Sequence, residues 1–145
     1  MQTTSPLTLA LLGLLAGFLA TLIFHQGGWY LLNQAGVIPA DRPAWPMDAI
    51  PPFALPSVIS KALWGGLWGA ALALVMCRLT GATYWIGWIA VGALAPTLVA
   101  LFVVPLVKGL PMPALWPRFA IGCIVNGAWG FGTALFLWAF GVGRS

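Results

Sequence analysis

The chain has 145 residues, of which six are Lys or Arg and two are Asp or Glu. Hydrophobic residues make up 61% and the mean hydropathy is +1.00. A soluble domain is about one-quarter charged, so this composition excludes a water-exposed enzyme, a secreted disulfide scaffold and a disordered tail. The net charge of +4 comes from scattered residues. No basic patch of the kind that binds nucleic acid is present.

Four apolar stretches follow in chain order, each long enough to cross about 30 Å of hydrocarbon as roughly 20 helical residues. The first covers about 6–26, opening at Ser5-Pro6, an N-cap followed by a proline suited to the first helical turn. No positive n-region precedes it, so it reads as a retained span rather than a signal peptide. Trp29 and Tyr30 read as interfacial anchors, and Gly36 as the helix stop. Residues 37–56 contain six prolines and are predicted to be extended, lying on the membrane surface or folding back over the bundle.

The second span covers about 57–78, with Lys61 one turn inside and able to snorkel to the headgroups. A short turn then predicts a tight antiparallel hairpin with the third span, about 83–107, which Pro96 should kink. The fourth covers about 117–141. The apolar runs are continuous rather than alternating, which disfavours a β-barrel. The expectation is a single all-α membrane domain over 1–145.

The chain repeats itself. Pro52-Phe-Ala-Leu-Pro56 leads to Gly66-Leu-Trp68-Gly69 and Ala73-Leu74; Pro113-Ala-Leu-Trp-Pro117 leads to Gly127-Ala-Trp129-Gly130 and Ala134-Leu135. Gly17-Phe-Leu-Ala-Thr21 resembles Gly92-Ala-Leu-Ala-Pro-Thr97 with one insertion. Two tandem helical hairpins related by a pseudo-two-fold axis along the membrane normal are the simplest reading.

Helices in lipid associate through small residues that let backbones approach. Gly13 and Gly17 lie in the first span, Gly65, Gly66 and Gly69 in the second, and Gly127 and Gly130 in the fourth. These glycines are expected at helix contacts within the bundle or with a partner. Trp68 and Trp129 are expected to point away from the glycine stripes and to fill space at helix crossings. Asn126, the strongly polar residue within a span, is expected to hydrogen-bond to a neighbouring helix.

Reactive chemistry is sparse. Neither acid lies in a span, since Asp41 and Asp48 sit in the proline-rich segment. His25 is the single histidine and the one candidate for ligating a cofactor. Cys77 and Cys123 fall at opposite ends of their helices, too far apart in depth for a disulfide. No catalytic residue, metal site or cofactor is expected. Arg42, Lys61, Lys108 and Arg118 fall on one side, against Arg78 and Arg144 on the other. The positive-inside rule then places the proline-rich segments in the cytoplasm and both termini outside.

Phe24-His25-Gln26-Gly27, the proline-rich loop, Leu63-Trp64-Gly65-Gly66-Leu67-Trp68-Gly69 and Val125-Asn126-Gly127-Ala128-Trp129-Gly130 resemble a set of small bacterial inner-membrane proteins. The resemblance covers nearly the whole chain. It implies a bacterial inner-membrane location and carries no activity. The expected function is a non-enzymatic accessory or scaffolding subunit, with lipids and other integral membrane chains as partners. The alternative is a small transport or channel component acting as a homo-oligomer.

Overall fold

A computed structural model describes residues 4–144. Four helices among them are long and apolar enough to cross a membrane: α1 (Pro6–Gln34), α2 (Ser57–Met76), α3 (Gly81–Val107) and α4 (Arg118–Ala139). The architecture is that of a multi-pass membrane protein. The Ser5 hydroxyl caps α1 by accepting from Thr8 N at 3.1 Å. Arg144 closes the far end of α4, donating to the carbonyls of Trp138 and Ala139 and lying 4.8 Å from the Trp138 ring.

α1 is longer than the apolar run alone suggests, because it continues through Trp29 and Tyr30 to Gln34. It widens into a π-helical turn at Thr21–His25. α3 carries a second such turn at Val99–Val103, three residues after Pro96. Wide turns arise where an i→i−4 hydrogen bond is lost or a side chain intrudes on the ladder. Pro105 has no N–H to offer Leu101 O, inside that turn. In α1, the Thr21 hydroxyl donates to Gly17 O at 2.9 Å and intrudes in the same way.

The proline-rich segment folds back along the end of α1. Trp45 Nε1 donates to Leu22 O within the wide turn at 2.8 Å, and Trp29 Nε1 donates to Arg42 O at 2.9 Å. A two-residue antiparallel ribbon, β1 (Ala49–Ile50) with β2 (Leu55–Pro56), then feeds directly into α2. Met47 and Phe53 remain exposed at 68% and 80% on this flap.

The packing order is α2 on α1, α1 on α4, and α4 on α3. The expected tight hairpin of α2 with α3 does not form. These helices meet sparsely, near their connecting turn, where Gly87 leaves room for Leu79 and Met76. Each helix turns its small residues to a different partner, so the short connection joins two diverging rods. The core contains Trp88, Trp129, Tyr84, Leu72 and Leu137.

Candidate functional site

The glycines set which helices touch. In α1, Gly13 and Gly17 lie against Gly65 and Gly69 of α2 so closely that a Cβ at Gly13, Gly17 or Gly69 would strike facing backbone, and one at Gly65 would strike the Thr21 hydroxyl. At Gly66 the gap is wider, with Leu14 O 3.0 Å from where a Cβ would be. The second pair of helices repeats the geometry with fewer glycines. A Cβ on Gly130 would strike Trp88 O of α3, and one on Gly92 would lie 2.7 Å from Gly130 Cα. Gly127 is looser, with Ala93 Cβ at an ordinary 3.5 Å.

Polar side chains reinforce these contacts. Trp129 is 2% exposed, and its Nε1 donates across from α4 to Gly17 O of α1 at 3.0 Å. Tyr84 Oη of α3 donates to Ala134 O of α4 at 2.8 Å. Asn126 Nδ2 of α4 donates to Thr97 Oγ1 of α3 at 2.9 Å. Phe24 sits edge-on to Phe131 and Phe136, bringing the wide turn of α1 onto α4.

Trp68 and Trp129 each follow a Gly-x and precede a Gly, and they do not share an environment. Trp129 does not merely fill space beside the stripes. It points between α1 and α2, where a Cβ on Gly65 would lie 3.1 Å from its Nε1. Trp68 is half-buried and lines a groove instead.

That groove lies where α2 and α3 separate. It comprises two cavities of about 270 and 570 Å³ that share Trp64, Trp68, Pro96 and Ala100. The larger is walled by Leu67, Val99 and Val104 and bounded by Lys108. The smaller has Thr21, His25 and Asn126 on its lining and Lys61 at its edge. Trp64 and Leu67 are 64% and 53% exposed, so the outer lip is open. Lys61 near the start of α2 and Lys108 just past α3 place two ammonium groups at the same end of the bundle. The Lys61 Nζ also lies 5.7 Å from the Trp29 ring centroid.

Hydrogen bonding determines which His25 nitrogen carries its proton. Gln26 is 1% exposed, and its Oε1 accepts from Trp45 N at 2.8 Å. Its Nε2 is therefore the donor to His25 Nδ1, 3.1 Å away. With Nδ1 accepting, the neutral ring bears its proton on Nε2, which has no partner among the described residues. No group of three or more His, Cys, Asp or Glu that could hold a metal occurs among those residues. Cys77 and Cys123 are both free thiols. One buried donor, Trp88 Nε1, has no partner among the described residues.

The sequence reading did not single out Gly92, Thr97, Gln26 or Lys108 for this region. The loose match of Gly17–Thr21 to Gly92–Thr97 is the one signal that pointed to two of them. No family model, curated protein or solved structure matches the chain.

Proposed function

We propose that the protein is a non-enzymatic accessory or scaffolding subunit of a bacterial inner membrane, packing against other membrane chains and lipids. The observation that carries this reading is the uneven use of the bundle's faces. Three helix contacts are tightened by glycines or inter-helix hydrogen bonds, and the α2–α3 flank stays open. In the duplicated-hairpin reading, α1–α4 and α2–α3 are equivalent contacts, of which only the first is closed. A flank left open in lipid is a surface for something else in the membrane. The excess of Lys and Arg beside the proline-rich segments favours a cytoplasmic position for them, with both termini outside.

The experiment is purification from native membrane in mild detergent, followed by identification of what accompanies the protein. Stoichiometric foreign subunits are expected. A homodimer free of other chains argues against the accessory role and favours a second reading, a transport component that acts as a homo-oligomer. His25 and Asn126 on the groove lining support that alternative, because polar groups there can contact a passing solute. Under it, Asn126→Leu abolishes solute flux and leaves the assembly intact.

A further inference from the structure

We propose that the groove between α2 and α3 binds an anionic phospholipid, with an acyl chain along the apolar wall and the phosphate between Lys61 and Lys108. This inference concerns the isolated chain and does not depend on a partner subunit.

Three observations converge on that class of ligand. First, the larger cavity is walled by Leu67, Val99, Ala100 and Val104 and opens through the exposed Trp64 and Leu67. An apolar slot open sideways in a bilayer admits a chain from the lipid without passage through water. At about 570 Å³ it falls in the range of small-molecule sites, about 300–1,000 Å³.

Second, the charged side chains that line the groove are both lysines. Lys61 and Lys108 both belong to the helix ends at the proline-rich side. Asp41 and Asp48 do not line it; Asp48 lies close enough to Lys61 to interact with its charge, and Lys108 has no such acid beside it among the described residues. Snorkelling lysines at headgroup depth are matched to a phosphate rather than to a cation or an uncharged sugar.

Third, the smaller cavity, which Lys61 also lines, offers neutral polar groups. His25 bears an unpartnered Nε2–H, and Asn126 uses its amide nitrogen on Thr97. Ester groups of a glycerolipid lie just below the phosphate, where such donors reach them.

The test uses the full-length protein, purified in a zwitterionic detergent and checked for a single monodisperse peak. Phosphatidylglycerol, phosphatidylcholine and inorganic phosphate are added separately, and thermal stability and lipid adducts by native mass spectrometry are read. Phosphatidylglycerol is expected to stabilise the protein and to give one retained adduct. Phosphatidylcholine is expected to bind at least tenfold more weakly, and inorganic phosphate to have no effect. The double variant Lys61→Gln, Lys108→Gln should lose the preference while keeping its elution profile. Ala100→Trp, which fills the slot, should lose the adduct of either lipid. Equal binding of the two lipids overturns the proposal. So does a preference that survives the lysine variants, full stabilisation by phosphate alone, or a cysteine cross-link showing a second copy seated at Trp64.

Discussion

Trp129 of α4 and Gly17 of α1 are 112 residues apart and joined by a 3.0 Å hydrogen bond from indole to carbonyl. The same carbonyl also accepts the Thr21 hydroxyl. Because Gly17 has no side chain, α2 comes close on one side while the indole reaches the carbonyl from α4. One residue thus ties three helices together, and the wide turn of α1 begins four positions later.

Trp129 and Trp88 are both buried tryptophans, but only Trp129 has a partner for its N–H. Replacing an unpartnered buried donor removes a penalty, whereas replacing a paired one removes a bond. Both changes to Phe lose similar volume. Trp129→Phe should therefore destabilise the protein by about 1 kcal/mol more than Trp88→Phe. Unfolding of each variant in mixed micelles measures the difference. Equal losses would mean that the Gly17 bond contributes nothing.

The glycine contacts make a graded prediction. Gly69→Ala places a methyl group against Gly13 O and should cost about 1–3 kcal/mol through overpacking. Gly127→Ala meets only an ordinary 3.5 Å contact and should be nearly neutral. Gly27→Ala meets nothing within 4 Å and should stabilise the helix by about 0.5–1 kcal/mol. Thermal melts of the three variants should rank in that order, and a well-tolerated Gly69→Ala would refute the close α1–α2 approach.

Asn126 and Thr97 should be energetically coupled. Inter-helix hydrogen bonds in membranes contribute about 1 kcal/mol. A double-mutant cycle with Asn126→Leu and Thr97→Val should return a coupling of that size. Strict additivity would place the Asn126 amide elsewhere.

The fold-back of residues 37–56 depends on Trp45, whose indole and backbone N–H reach Leu22 O and Gln26 Oε1. Trp45→Phe keeps an aromatic side chain and removes the indole bond to Leu22 O. Hydrogen exchange across residues 40–50 should rise several-fold while α2 and α4 keep their protection. Unchanged exchange would show that the prolines alone hold the segment.

Cys77 lies at the far end of α2 from the proline-rich flap and is exposed. With the termini outside, a membrane-impermeant maleimide should label it in intact cells, and Cys77→Ser should abolish that labelling. Labelling that requires permeabilisation would reverse the proposed orientation.

The four spans were legible in the residues because lipid imposes a simple constraint: a long apolar run bounded by charges or prolines must cross as a helix. The boundaries of α2, α3 and α4 fall within two residues of those read from the pattern. Some of the close-contact glycines, such as Gly13, Gly17 and Gly69, were legible because small residues at helical spacing have few other uses in lipid, whereas Gly92 was not singled out and Gly127 makes only an ordinary contact. Which glycine faces which helix was not legible. That depends on rotation about each helix axis, and a uniformly apolar segment carries little directional signal in its sequence.

The sequence by itself therefore determined the solvent, the number of crossings and the residues available for close contact. Tertiary structure decided how they were assigned. Trp68 and Trp129 have the same local sequence, Gly-x-Trp-Gly, yet one lines a groove and the other is buried against Gly17. The physical reason is that α1 can lie against α2 and α4 together, drawing them to one side. α3 follows α4 and leaves its neighbour in sequence, α2, across a gap. Such a choice among packings depends on all four helices at once, and no local stretch of residues encodes it.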